Sequence, residues 1–297
     1  MIKKTILLEN KASLSTRNLQ LLIKSEIRES SIPIEEIGFL VIDHPEIFLS
    51  MPAMNLLVEN TAIIICGKNH LPNGMFLNLN SHHIQQEIFK NQIEASVPLK
   101  KQLWQQTIIE KITNQGILLE KITGEKNSFD FIASKVLSGD TSNMEATAAN
   151  IYWKAFFENS TFKKFKRERF GDYPNNFLNY GYAILRAATA RALSGSGLLN
   201  TLGIHHKSKY NAFALADDIM EPFRPMVDEK VFEIINQYDE EELNTKLKAE
   251  LLQILTRTLY FEDEKSPMMV GLQKTASSLQ QCFTGERKKI KYPKLWN

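Results

Sequence analysis

The chain begins with short apolar runs set between polar or turn-forming residues: "TILLE" from Thr5, "LQLLI" after "STRN", "IGFLVID" from Ile37, and "TAIIIC" ending at Cys66. Runs this short, bounded by Asn, Ser, Pro, Gly or charge, predict β-strands. Between the third and fourth, "EIFLSMPAMNLLVEN" is spaced as a short helix, with Leu49, Leu56 and Leu57 on one face and Pro52 in its first turn. Leu71-Pro72-Asn73-Gly74 carries two turn signals. Beyond it the period changes, and "QQEIFKNQIEASVPLKKQLWQQTIIEKITNQGILLEKI" has apolar residues three and four apart. Helical patterns continue through "EATAANIYWKAFFEN", "FLNYGYAILRAATARALSGSGL", "DEKVFEIINQY" and "NTKLKAELLQILTRTLYF". The pattern predicts an α+β chain: a β-domain with one helix over residues 1–80, then a larger all-α domain over 81–297, the boundary falling between 75 and 90.

Composition changes this picture little. At 297 residues, with 43% hydrophobic and 24% charged side chains, the chain can bury a substantial core and is not disordered. The net charge of +2 carries no information about partners, but its distribution does. Lys154 to Arg169 is a basic stretch interrupted only by Glu158 and Glu168, and the tail "RKKIKYPK" is a second. Cys66 and Cys282 are the only cysteines, with no CxxC pair, and no apolar window approaches a membrane span. The expectation is a soluble cytoplasmic protein that does not engage a membrane.

Two stretches carry candidate chemistry. "SNMEATAANIYW" sets Ser142 and Glu145 in the S-x-x-E relation of a capping box, so Glu145 reads first as a helix cap. "GIHHKSKYNAFALADDIMEPFRP", residues 203–225, joins His205 and His206 to Asp217, Asp218 and Glu221. The carboxylates stand three and four apart, on one helix face with no lysine between, a repulsion that a bound cation would reverse. Imidazole with carboxylates suits Mn²⁺, or Mg²⁺ completed by water, better than a structural zinc site. Chemistry alone leaves both readings open, metal site or acidic first turn of a helix. "FKKFKRERFGDY" interleaves Lys163 and Lys164 with Phe162, Phe165, Phe170 and Tyr173, as a phosphate- and base-binding surface would; a solvated helix face is the alternative. Arg186 and Arg191 lie among alanines and leucines, and each needs an acid partner, Asp218 or Glu221, or DNA.

Together, "EATAANIYW" (145–153), "LNYGYAILRAATARALSGSGLLNTLGIHH" (178–206) and "NAFALADDIMEPFRPMVD" (211–228) closely resemble the CRISPR-associated integrase of the adaptation machinery, the universal spacer-inserting endonuclease. The "DIMEPFRP" form and short chain look like its type II subfamily. The resemblance implies an N-terminal β-sandwich-like domain used for dimerisation and DNA-end contacts, and an α-helical catalytic domain. It implies catalysis and Mg²⁺ or Mn²⁺ ligation by Glu145, His206 and Glu221, with Asp218 matching a further acidic position; His205 and Asp217 have no match. It implies 3′-hydroxyl attack at the repeat boundary, or hydrolysis with water as nucleophile. Arg224, Arg191, Lys163, Lys164 and Lys207 are the expected phosphate contacts. The implied partners are spacer duplex and repeat DNA, a second copy of the chain, and a dimer of the small second adaptation protein between two such dimers. A catalytically silent DNA-binding scaffold and a metal-dependent RNase are the competing readings.

Overall fold

A computed structural model describes residues 3–60, 62–66, 72–78, 82–158, 160, 162–169, 171–261 and 264–296. The N-terminal part forms β1 (Lys4–Leu8), β2 (Ala12–Arg17), β3 (Gln20–Ser25), β4 (Glu29–Pro33), β5 (Ile37–Ile42), β6 (Ile47–Leu49), helix α1 (Met51–Asn60), β7 (Ala62–Cys66) and β8 (Pro72–Phe76), the four apolar runs falling in β1, β3, β5 and β7. They form two four-stranded sheets, of order β1-β5-β7-β8 and β4-β3-β2-β6. Alternation along β2 turns Ala12 and Leu14 inward and Ser13 and Ser15 outward. Leu14, Leu21, Leu40, Leu57 and Ile63 fill the core between the sheets and α1, whereas Phe39, Val41 and Ile64 belong to the core shared with the helices. β5 is therefore apolar on both faces, as the unbroken "IGFLVI" requires.

The strand reading needs three corrections. β2 and β4 escaped it because their outward positions are polar, so neither forms an apolar run. Leu49 lies in β6 and pairs with Leu14, so the helix starts only at Met51, with Pro52 in its first turn. Pro72 and Gly74 lie within β8, antiparallel to β7, rather than in a turn; Leu71 is outside the described residues. β8 is an edge strand, where proline at the first position costs no ladder bond.

The rest is α2 (Gln85–Glu94), α3 (Val97–Thr123), α4 (Phe129–Ser134), α5 (Met144–Phe156), α6 (Asn175–Gly195), α7 (Ala214–Met220), α8 (Arg224–Gln237), α9 (Thr245–Leu252), β9 (Thr258–Tyr260), β10 (Lys265–Pro267) and α10 (Met268–Thr284). α3 is the spine. Ser96 caps it, its Oγ accepting from the Leu99 amide at 3.3 Å, with Pro98 in the first turn and Gly124 closing the helix at φ 72°. α6 meets α8 closely at Gly181, where a Cβ would stand 2.4 Å from Val227 Cγ1. Helices dominate this part, but it is not all-α: β9 and β10 pair antiparallel, interrupting what "LLQILTRTLYF" suggests is one helix. Leu259 is buried between more exposed neighbours, a strand alternation too short to register against the helical period. α10 is not evident in the pattern either, because Gly271, Thr275, Ala276 and Ser278 separate Met268, Leu272, Leu279 and Phe283 on its buried face.

Lys248 of α9 ties the helices to the first sheet. Its Nζ lies 2.7 Å from Glu9 Oε1 and 2.6 Å from Asp43 Oδ2, the residues that follow β1 and β5. Burial pushes the half-buried Cys66 thiol up to about 12 and the buried Cys282 thiol to about 11, which favours the protonated, less nucleophilic form of both. Among the described residues no helix is long and apolar enough to cross a membrane.

Candidate active site

Glu145 stands in the first turn of α5. The capping box expected there does not form: Ser142 Oγ donates to the Lys135 carbonyl instead. Asp140 is the cap, its carboxylate accepting from the amides of Met144 at 2.9 Å and Glu145 at 3.0 Å. Asp140 and Asn143 both hold left-handed φ, 49° and 54°, folding the approach to α5 back on itself. The Glu145 side chain is thereby released from capping. Asp140→Ala is expected to destabilise the chain by roughly 1–2 kcal/mol, from the lost cap and the positive φ, measurable as a shift in urea midpoint.

The released carboxylate meets α3. Lys111 Nζ lies 2.6 Å from Glu145 Oε1 and 2.6 Å from Glu221 Oε2, so one ammonium bridges two acids distant in the sequence. Glu221 opens a 3-10 turn, Glu221–Phe223, between α7 and α8, and Asn114 of α3 pins that turn by donating to the Pro222 carbonyl at 2.9 Å. Arg224 Nε donates to Glu221 Oε1 at 2.8 Å, while its guanidinium lies 4.5 Å from the Tyr182 ring centroid. Burial alone would raise the Glu221 pKa, but Arg224 and Lys111 overcome it and hold the carboxyl at about 2. For Lys111 burial works downward, and Glu221 and Glu145 outweigh it, so its pKa is raised and it stays charged.

Asp218, fully buried at the end of α7, organises the histidine loop. Its Oδ2 accepts from the amides of Ile204 at 2.7 Å and His205 at 2.9 Å, and its Oδ1 from His206 N at 3.2 Å and His206 Nδ1 at 2.6 Å. Both oxygens are committed, so Asp218, expected as a further ligand, here orients the loop and the ring. A carboxylate partner places the proton on Nδ1 and leaves the Nε2 lone pair free in the neutral ring. The Asp218 hydrogen bond raises the His206 pKa against the opposing effect of burial, and Glu221 adds to the rise. Gly203 belongs to the same fold, since a Cβ there would lie 2.6 Å from the His206 carbonyl and 2.7 Å from Asp218 Oδ2. His205 stacks on the buried Trp104, with centroids 4.1 Å apart and planes 5° from parallel.

The other candidates disperse. Arg186 finds Asp217, not Asp218 or Glu221, with Nε 2.6 Å from Oδ1, and Asn211 holds the second Asp217 oxygen at 2.8 Å. Arg191 lies over Phe39 at the sheet, and burial lowers its pKa. Arg224 is taken up by Glu221. Lys163, Lys164 and Lys207 are exposed. The aromatics near Lys163 and Lys164 are not a platform for bases: Phe165 packs on Phe157 at 4.4 Å, and Phe162 on Tyr173 at 5.2 Å. Phe170 lies outside the described residues. The important residue the pattern missed is Lys111, and its signal was present: a lysine on the buried row of α3, between Ile108 and Gln115.

The donor chemistry fits a hard divalent cation. Two carboxylates already converge on a positive charge, and Glu221 Oε2 is buried and meets that charge as an ion pair without hydrogen-bond geometry. Among the described residues no three His, Cys, Asp or Glu side chains converge as a finished metal cage.

Residues 5–262 match the family model described as CRISPR associated protein Cas1. The chain belongs to the Cas1 family. It is 35% identical to the CRISPR-associated endonuclease Cas1 of Neisseria meningitidis serogroup C (strain 8013), covering 99% of this chain and 97% of that protein. A Cas1 endonuclease of Francisella tularensis subsp. novicida (strain U112) is 28% identical over 60% of this chain and 59% of its own length. The Cas1 fold is shared with solved structures: a casposase bound to an integration product (TM-score 0.80, 20% identity, 97% of this chain and 92% of that one), and a Cas1 protein from Thermotoga maritima (0.77, 18%, 95% and 97%). A Cas6-RT-Cas1–Cas2 complex matches with a TM-score of 0.75 at 20% identity, over 99% of this chain and 36% of that one. The likeness covers both the Cas1 sheets and the Cas1 helices.

Proposed function

We propose that this chain is a metal-dependent DNA endonuclease and integrase of CRISPR adaptation, joining 3′-hydroxyl ends of spacer DNA to the repeat by transesterification. The observation that carries this reading is the convergence of Glu145 and Glu221 on one ammonium, beside a histidine whose ring is aimed by Asp218. Glu145, Glu221 and His206 Nε2 are the groups that would hold Mg²⁺ or Mn²⁺, which when bound polarises the scissile phosphate and eases deprotonation of the attacking hydroxyl. The remaining work belongs to the chain. Asp218 fixes the imidazole tautomer, so that the neutral ring presents its Nε2 lone pair. Arg224 keeps Glu221 ionised and, with the ring of Tyr182 behind it, in one orientation. In the joining step a new P–O bond forms from the spacer 3′-oxygen, and the bond to the repeat-side 3′-oxygen breaks. The proton lost by the attacking hydroxyl ends on that leaving oxygen.

Exposed Lys163, Lys164 and Lys207 supply backbone contacts, each phosphate neutralised contributing a slope of about −0.9 in log K against log salt. The working assembly is a homodimer, two of which hold a dimer of the small second adaptation protein; the fold shared with the Cas1–Cas2 complex supports that partner. The test is joining of a labelled spacer duplex to repeat DNA with Mg²⁺ or Mn²⁺, beside an RNA substrate of the same sequence. DNA joining that EDTA abolishes is expected. Joining that survives EDTA, or cleavage of RNA alone, defeats the reading.

A further inference from the structure

We propose that Lys111 is the resident cation of the active site: it holds Glu145 and Glu221 together in the metal-free chain and gives way when a divalent ion enters. This rests on the metal reading above. Lys111 is a lysine in an apolar helix face, 9% exposed, and an unpaired ammonium there would be costly. It is not paired one-to-one. Its Nζ is shared, 2.6 Å from an oxygen of each acid, whereas Glu221 already has its own partner in Arg224. Without Lys111, Glu145 would lose the side-chain partner it has among the described residues, and the two carboxylates would face one another with no charge between them.

Charge decides the exchange. In the metal-free cluster, Lys111 and Arg224 balance Glu145 and Glu221, so the four groups sum to zero. A divalent cation added to that set would meet the ammonium at short range in a poorly solvated site, a repulsion that must be relieved before both carboxylates can ligate. Arg224 is anchored by Nε to Glu221 Oε1 and packed on Tyr182, while Lys111 ends in a compact ammonium on a flexible stem. Lys111 is therefore the group that yields, and its charge becomes available to the phosphodiester entering beside the metal. The lysine thus acts as a positioning residue: it keeps the acids ionised and preassembled, and sets how tightly the metal binds.

The test uses the full chain, without DNA and with Mn²⁺ as the probe. Lys111→Met removes the charge at similar length. In EDTA this variant is expected to melt lower than the unmodified chain, and Mn²⁺ is expected to bind it about tenfold or more tightly by calorimetry, with a larger rise in melting temperature. Lys111→Arg, which keeps the charge, should bind Mn²⁺ no more tightly than the unmodified chain. Lysine labelling with mass spectrometry gives a second readout that needs no variant: Lys111 should label faster once Mn²⁺ is added. Mn²⁺ binding of equal affinity in Lys111→Met and the unmodified chain, or labelling unchanged by bound Mn²⁺, overturns the proposal and leaves the metal reading standing. Absence of Mn²⁺ binding in both chains overturns the metal reading and this proposal with it.

Discussion

The Glu221→Gln chain is expected to lose DNA joining and cleavage by about 10³-fold or more, while Asp217→Asn keeps both. The two acids stand four residues apart on the same short stretch, and nothing in their spacing separates them. Their partners do. Glu221 is 5% exposed, with one oxygen on Arg224 and the other on Lys111, and Lys111 links it to Glu145. Asp217 is committed to Arg186 and Asn211, outside that cluster. The amide keeps the volume of the side chain but removes the charge that balances buried Lys111 and half-buried Arg224. Breaking such a network costs up to about 3–5 kcal/mol, so a melting curve and near-UV circular dichroism must accompany the rates. The measurement is single-turnover joining of a labelled duplex with Mg²⁺ or Mn²⁺. A folded Glu221→Gln chain with undiminished joining would remove Glu221 from the site. The histidines divide in the same way: His206→Ala should behave like Glu221→Gln, whereas His205→Ala loses a stack on Trp104 and retains most activity.

What was legible in the sequence follows from how far each signal reaches along the chain. Strands with unbroken apolar runs, such as β5 and β7, were readable because burial on both faces leaves no polar position. β2, "ASLSTR", was not, since two inward side chains among serines look like a loop. At the site, Glu145, His206 and Glu221 were readable as candidates through three ordered motifs, but the groups that govern them were not. Ser142 and Glu145 have capping-box spacing, yet Asn143 in a left-handed conformation breaks the geometry and passes the cap to Asp140. Asp218 resembled a ligand because its type and spacing fit one; only the fold shows three backbone amides and an imidazole converging on it. Lys111 lies 34 residues from Glu145 and 110 from Glu221, and a lysine in a helix normally snorkels to water. Aromatics at Phe162, Phe165 and Tyr173 suggested base stacking, and instead stack on one another and on their neighbours.

Lys248→Met is expected to destabilise the chain by about 3–5 kcal/mol, because it removes an ammonium that two acids share. Asp43 is 3% exposed at its side chain and Glu9 14%, and both meet the same ammonium, itself 4% exposed. At roughly 2–4 °C per kcal/mol for a chain approaching this size, the melting temperature should fall by on the order of 10 °C. The loss should also be distributed unevenly. Glu9 and Asp43 follow the neighbouring parallel strands β1 and β5, joined there by the Asp43 amide donating to the Leu8 carbonyl at 2.8 Å, whereas Lys248 sits in α9. Amide exchange in the first sheet should therefore accelerate more than exchange in α3. The pH dependence has a definite sign. Burial draws the Lys248 pKa down, but hydrogen bonds to Asp43 and Glu9 outweigh it and leave the pKa raised above 10.5. A cationic group with a raised folded-state pKa contributes fully below its unfolded value and loses that contribution as pH rises through the folded one. The gap between the unmodified and Lys248→Met chains should thus hold constant through neutral pH and narrow as pH rises into alkali. A gap under about 1 kcal/mol at neutral pH, the scale of an exposed surface pair, would show that this contact does not tie the sheets to the helices.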